Sequence, residues 1–440
     1  MASQQFEPPS GTRDFLAGDL RVREHVFATI RDVFERYGFE PLQTPAFERL
    51  VTLTGKYGDE GDKLIFKILR RGEHEASGEA DLALRYDMTV PLARVVAAYG
   101  SQLPAPYKRY VMGPVWRADR PGRGRFREFA QCDVDVVNST SPLADAEIVC
   151  AVADALTAVG VEESTILVNS RHVLAGLLEV YGVPAEVGGA VLITLDKLDK
   201  LEPAAVVREL SEARSLDTST AEALVGDLTA PDAADRLRKV LADSAEGRDG
   251  LAEVDRLIEV VAPVTGDERI SFTPRLVRGL DYYTGIIFEV VAAGMPGSIA
   301  AGGRYDHLIE AMGGPDVPAC GGSLGVERII GLLGEDTVPA PHLDAAITVM
   351  SDDTAPEAME FAARLRRAGL RAEVYLGSNL KLGRQLKWAA DRRARFTLIY
   401  GEQERAAGLV TVRDMESGDQ DQVPPEDLAA SLHAKLAASR

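Results

Sequence analysis

Five arginines, Arg117, Arg120, Arg123, Arg125 and Arg127, fall within eleven residues of the stretch YVMGPVWRADRPGRGRFREFAQCDVDVVN, residues 110–138, around Pro121, Gly122 and Gly124. After them the chain alternates: Phe129, Gln131, Asp133 and Asp135 share one face, and Ala130, Cys132, Val134 and Val136 share the other. This spacing predicts a strand, an arginine-laden loop and a returning strand. Its apolar face is buried, and its polar face is left to water or a ligand. Arginine grips phosphate oxygens bidentately and keeps its charge at any working pH. The amide and carboxylates beneath offer acceptors to positive or N–H-bearing groups. Such a pairing suits transfer at a phosphorus centre, where catalysis is mostly positioning and charge stabilisation. An attacking carboxylate is already ionised at neutral pH and needs no general base.

Two further clusters carry chemistry. Asp87, Met88 and Thr89 stand where the strand-like DLALRY meets a helix opening at Pro91; a carboxylate there either caps the helix or holds an ammonium group. In ACGGSLGVERIIGLL, Gly321, Gly322 and Gly325 precede Glu327 and Arg328, so either a planar ligand approaches the backbone or strand and helix pack closely. The sequence has neither a GxxxxGK[ST] loop nor a GxGxxG coupled to a strand. Nor does it carry a local signature of Ser-His-Asp or Cys-His catalysis.

The elements that must position these residues follow from the rest of the chain. At 440 residues it holds several domains, and its 46% hydrophobic content is that of an ordinary globular protein. The net charge of −19 argues against indiscriminate nucleic-acid binding but leaves room for local basic surfaces. Cys132, Cys150 and Cys320 are odd in number and far apart, which suits a reducing cytosol; with six scattered histidines they give no metal cluster. No apolar run reaches membrane-spanning length and the N-terminus lacks a secretory pattern, so a cytoplasmic protein with no membrane partner is expected.

Residues 18–37 have the spacing of an amphipathic helix closed by Gly38, and 63–69 and 81–86 read as strands. A helix beginning at Ser141-Pro142, a short strand TILVN and a second helix follow the hairpin. From 185 aromatics vanish, and over 201–260 there are 14 acidic against 7 basic residues, the mark of a helical insertion with an acidic solvated face. β character returns at 270–292. Past the prolines at 339 and 341, strands and helices alternate in a βαβα pattern. There Lys381, Arg384, Lys387, Arg392, Arg393 and Arg395 form a second basic patch, either a solvated face or an RNA contact.

GFEPLQTPAF, the hairpin with its RFREF turn and GGSLGVERI resemble the three signature motifs of class II aminoacyl-tRNA synthetases. LRYDMTVP, REFAQCDVD, LVRGLDYYTG and AGGRYDHL look like the histidine-specific blocks of the histidyl-tRNA synthetase family, and the resemblance covers nearly the whole chain. It implies an α/β chain with an α+β catalytic core, built on a mixed, mainly antiparallel sheet with flanking helices. The core would occupy 1–184 and 269–337, a helical insertion 185–268, and an α/β anticodon-binding domain 341–440. It implies a ligase that activates L-histidine with ATP, accompanied by Mg²⁺, and passes it to the 3′-terminal ribose of histidine tRNA. Motif 1 would build a homodimer.

By the same resemblance, Arg117 and Arg278 are the catalytic residues, both at the α-phosphate, and Arg278 is also a histidine-binding residue. Arg125 lies toward the γ-phosphate, Phe129 stacks on adenine with Asp119 at its amino edge, and Arg328 grips the far phosphates. Asp87 and Thr89 take the histidine ammonium, with Gln131 near both ammonium and carboxylate. Asp135 and Tyr283 bracket the imidazole beside Tyr282. Arg120 and Arg123 are candidates for the tRNA acceptor end, and Lys381 and Arg384 for tRNA contact on the C-terminal domain. The rival is the family's regulatory paralogue, a subunit of ATP phosphoribosyltransferase that lacks the C-terminal domain and loses catalytic residues.

Overall fold

A computed structural model describes residues 6–438, apart from 58–60, 73–76, 123, 200, 278–281 and 335–342. It divides into two compact units, Met1–Val338 and Pro339–Arg440.

The first unit carries a small and a large sheet. Strands β1 (Glu40–Pro41), β2 (Phe47–Arg49), β3 (Lys67–Leu69), β4 (Ala80–Leu84), β5 (Tyr107–Trp116) and β6 (Glu128–Val137) come before the insertion with β7 (Ser164–Ser170). After it come β8 (Ile270–Phe272), β9 (Ile286–Ala292), β10 (Ala300–Arg304) and β11 (Ala319–Gly325). The large sheet has eight strands in the order β1-β5-β6-β11-β10-β9-β7-β8, and the small one is β2-β4-β3. Only β1–β5 and β7–β8 pair in parallel within the large sheet; the ladder from β5 to β7 is antiparallel throughout.

The expected hairpin is β5–β6. Its alternation works as read, with Ala130, Cys132, Val134 and Val136 all buried. Helix Pro142–Ala158 packs on that face. Ser141 caps it through Leu143 N, and a Cβ on Gly322 of β11 would meet Ile148 and Val152 at 3.1 Å. The helix expected over 18–37 spans Ala17–Arg36, and Gly38 takes the left-handed φ of 78° that ends it. Strand structure around 63–69 is shorter than expected, covering Lys67–Leu69 only. Residues 63–66 lead into it through a turn in which Leu64 N bonds Gly61 O.

Residues 185–265 form helices Ala185–Leu195, Pro203–Arg214, Thr218–Thr229, Ala233–Val240 and Ala245–Thr265. Leu192, Val206, Leu210, Leu224 and Leu237 turn inward and join the core of the first unit. The last helix lies close against helix Arg171–Val180: a Cβ on Gly176 would stand 2.5 Å from Gly247 Cα, so both helices need glycine there. No single helix among the described residues is long and apolar enough to cross a membrane.

In the second unit, β12 (Leu343–Ile347), β13 (Ala372–Val374), β14 (Ala394–Ile399), β15 (Val410–Asp414) and β16 (Gln420–Val423) form a sheet ordered β13-β12-β14-β15-β16. The alternating βαβα part is parallel, and β15 and β16 add an antiparallel edge that the sequence pattern did not disclose. Lys381, Arg384 and Lys387 are exposed on and just before helix Leu382–Asp391. Arg392 and Arg395 are instead tied to Glu373 and Asp414.

Candidate active site

The antiparallel register places residues of the same parity across the sheet. Opposite Gln131, Asp133 and Asp135 stand Gly113, Val111 and Arg109 on β5, and Gly325, Ser323 and Gly321 on β11. Farther along, Ala301 of β10, Glu289 and Val291 of β9, and Thr165 and Leu167 of β7 continue the same face. A cavity of about 980 Å³ lies over it. Asp87, Thr89, Arg117, Asp119, Arg125, Phe129, Gln131, Asp135, Tyr282, Tyr283 and Arg328 all line this one cavity. Of the sequence-derived ligands of ATP and histidine, Arg278 lies outside the described residues; the others converge.

The arginine loop is closed by reciprocal bonds between Gly122 and Arg125, and Gly124 has the left-handed φ of 68° that lets so short a loop turn. Its arginines part company. Arg117 is fixed by a bond from Nε to Tyr86 O (3.1 Å) and by the rings of Tyr86 and Phe129, 4.3 and 5.2 Å from its guanidinium carbon. Arg125 reaches Asp119 at 2.7 Å, and this bond raises its already high pKa. Arg127 turns away from the cavity. Its Nε donates to Asp119 O and its Nη1 to Ser10 O, and a Cβ on Gly11 would meet its Cγ at 2.7 Å. Arg120 is exposed outside the cavity, and Arg123 lies outside the described residues.

The N-terminal segment therefore clamps the loop, a role that its sequence did not reveal. Arg13 stacks on Phe126, and Arg23 pairs with Glu327 at 2.6 Å. Glu327 also accepts from Ala130 N at 2.9 Å, which ties the short helix Val326–Ile330 to β6. Beside it, Arg328 enters the cavity and donates to Ser298 O.

The acidic floor is buried: Asp87, Asp133 and Asp135 are each 5% exposed or less. Asp87 takes the capping role that its position allowed. Its Oδ1 accepts from Val90 N in the first helical turn and from the Tyr57 hydroxyl, each at 3.1 Å, while Oδ2 has no hydrogen-bond partner among the described residues. Burial holds its pKa up, against the Val90 N–H and Arg117. Asp135 is held by two residues that sequence reasoning missed. Arg109, fully buried on β5, brings Nη2 to 2.7 Å from Asp135 Oδ2, and the Tyr305 hydroxyl donates to Oδ1. Burial raises the Asp135 pKa, and Arg109 and Tyr305 oppose it. Each carboxylate oxygen still has a lone pair for a ligand N–H. Tyr305 also anchors the aromatic wall, with Tyr282 at 5.9 Å from its ring centroid and Tyr283 a further 4.9 Å from Tyr282.

Arg109 could have been found. In a hairpin the residue numbers across a rung have a constant sum, so once Val111 is set opposite Asp133, an arginine falls opposite Asp135. The glycines also acquire a reason. A Cβ on Gly321 would sit 2.0 Å from Asp135 Oδ1. Gly321→Ala is therefore expected to displace Asp135 and to lower activity with the amino acid that the resemblance implies, histidine, by about a hundredfold. Binding of ATP alone should stay near wild type in a fluorescence titration.

The chain matches the family model described as "Histidyl-tRNA synthetase" over residues 11–329, and the model described as "Anticodon binding domain" over 344–435. It is 39% identical to the histidine–tRNA ligase of Gloeobacter violaceus, over 94% of this chain and 95% of that protein. With the histidine–tRNA ligase of Cytophaga hutchinsonii it shares 37% identity, over 96% and 98%. Among solved structures, a histidyl-tRNA synthetase from Nostoc sp. PCC 7120 superposes with a TM-score of 0.79 at 30% identity, covering 98% of this chain and 99% of that one. A Bacillus halodurans chain titled as an ATP phosphoribosyltransferase regulatory subunit/histidyl-tRNA synthetase has a TM-score of 0.70 at 23% identity over 87% and 96%, a likeness of fold alone. With the family matched across most of its length and the family's residues gathered around one cavity, the chain belongs to the histidyl-tRNA synthetases.

Proposed function

We propose that the protein is a histidine–tRNA ligase. It joins L-histidine to the α-phosphate of ATP, releases pyrophosphate, and passes the histidyl group from the adenylate to the 3′-terminal ribose of histidine tRNA. The observation that carries this reading is the juxtaposition in one cavity of Arg117, Arg125 and Arg328 with the buried acids Asp87 and Asp135. Three fixed cations suit a triphosphate, and buried acceptors suit an amino acid with an ammonium group and a ring N–H.

In this reading Arg117 holds the α-phosphate, and Arg125 and Arg328 take the outer phosphates, Arg125 exchanging Asp119 for a phosphate oxygen. Phe129 and Asp119 receive adenine. Asp87, Thr89 and Gln131 take the ammonium, and Asp135 with Tyr283 the imidazole, beside Tyr282. The resemblance assigns Arg278 to the α-phosphate. Mg²⁺ arrives with ATP as part of the substrate. A site that hydrogen-bonds both imidazole nitrogens rejects isosteres lacking them by about four to five orders of magnitude. We assign residues 185–268 as an insertion and 341–440 as the anticodon-binding domain. Arg120, Arg123, Lys381 and Arg384 are the tRNA contacts, and the cytoplasm is the site of action.

Charging assays test this. The protein with ATP should attach labelled histidine to histidine tRNA. Failure to do so, with stimulation of an ATP phosphoribosyltransferase, would install the regulatory paralogue in its place.

A homodimer through motif 1 is part of the proposal. Phe47, Val51 and Leu69, on and beside the small sheet, are 51%, 76% and 55% exposed. Apolar side chains left this open on neighbouring elements suit a protein interface. Val51→Asp is expected to shift the mass seen by light scattering toward the monomer, and an unchanged dimer would remove this surface from consideration.

A further inference from the structure

Among the described residues, four buried acceptors of the cavity have no hydrogen-bond partner: Asp87 Oδ2, Gln131 Oε1, Asp133 Oδ1 and Asp135 Oδ2; the last is ion-paired with Arg109 Nη2 at 2.7 Å, which leaves three. Their residues are otherwise engaged. Asp87 Oδ1 accepts from Tyr57 and Val90, and Gln131 Nε2 donates to Ser323 Oγ. Asp133 lies between Gln131 and Asp135 on the cavity face of β6, 3% exposed. A buried acceptor left unmatched has lost its hydration without return, and folded proteins keep few of them. Three around one cavity are what a ligand with three N–H donors would satisfy. The fully buried Arg109 does not serve, because it is committed to Asp135 and to Met88 O.

We propose that Asp133 is a ligand of the substrate's α-ammonium group, completing with Asp87 and Gln131 a cradle of three acceptors for its three N–H bonds. This rests on the amino-acid-activating reading above, in which Asp133 has no role. It makes the site selective for a free α-amino group, since a deaminated analogue would leave all three acceptors unmatched.

The cradle also couples binding to a proton. Burial pushes the Asp133 carboxyl up to about 7, reinforced by the charge of Asp135 and, more weakly, Asp87, and opposed by Arg109 and by the Ser323 hydroxyl. The Arg85 guanidinium at the end of β4 also acts on this carboxylate. An arriving ammonium favours the ionised form, so at neutral pH Asp133 gives up its proton as the amino acid binds. The sign follows: histidine affinity rises with pH until Asp133 is ionised in the free protein, and is level above that.

Calorimetric titration of the full chain with L-histidine at about pH 7, in two buffers of different ionisation enthalpy, tests this. Wild type should release about half a proton, more than free histidine's imidazole supplies, and the release should fade by about pH 8.5. Asp133→Asn should weaken histidine binding about tenfold to a hundredfold, lose that proton release and leave the KM for ATP unchanged. A folded Asp133→Asn protein that binds histidine within about twofold of wild type, with the same proton balance, overturns the assignment. Should that variant fail to fold, Asp133→Ser is titrated in its place, and a folded variant that binds histidine within about twofold of wild type overturns the proposal. A wild type that binds no histidine instead overturns the functional reading on which this one rests.

Discussion

Arg117→Ala is expected to cut kcat/KM for adenylate formation by about a hundredfold to a thousandfold while leaving the protein folded. The size is that of removing one fixed charge from a developing negative centre. Folding should survive because the side chain is only half-buried and is held by Tyr86 O and two aromatic faces. Arg117→Lys should recover only part of the loss. A lysine supplies charge but neither the planar fork nor the fit between the rings of Tyr86 and Phe129. Pyrophosphate exchange measures the effect, and thermal melting checks the fold. Activity within about fivefold of wild type would remove Arg117 from the reacting phosphate.

The second large effect belongs to a residue that touches no reacting atom. Arg109→Leu is expected to destabilise the protein by about 3–5 kcal/mol, because it strands Asp135 in the core without its counter-ion. Arg109 opposes the burial that raises the Asp135 pKa, so its loss drives that pKa further up. The protonated form of Asp135, which offers a donor where the imidazole N–H needs an acceptor, then gains population. The KM for histidine should rise about a hundredfold, with a much smaller change for ATP. Raising the pH should restore part of the affinity, since it re-ionises Asp135. A merely structural Arg109 would give a pH-independent loss. Arg109→Lys should retain more stability than Arg109→Leu, because the ammonium still compensates the carboxylate.

Part of this site was legible before any coordinates. The β5–β6 hairpin could be read because its alternation is local and its loop is marked by Pro121, Gly122 and Gly124. The described residues that the family resemblance assigned to ATP and histidine did gather, because each sits on the cavity face of a strand or at a strand end beside it. What stayed hidden depends on contacts between distant segments. Tyr305 reaches Asp135 from 170 residues away, and Arg23 reaches Glu327 from 304. Gly321 read as a place for a planar ligand or for close strand–helix packing, yet what requires it is the Asp135 carboxylate that a Cβ would strike. Five loop arginines of equal appearance proved unequal. Arg127 packs onto the N-terminal segment because Gly11 leaves room for it, and nothing in the loop's own sequence distinguishes it from Arg125. The polar face of β6 was expected to meet water or a ligand. It is buried, and its carboxylates sit above their ordinary pKa for that reason.

This cavity is expected to activate histidine and no other amino acid. ATP–pyrophosphate exchange, run with the full chain and each of the common amino acids in turn, tests it most directly. Exchange is expected with L-histidine alone, cut about a hundredfold to a thousandfold by Arg117→Ala and weakened by Asp135→Asn chiefly through KM. Exchange with a different amino acid, or none with histidine from a folded protein, would contradict it.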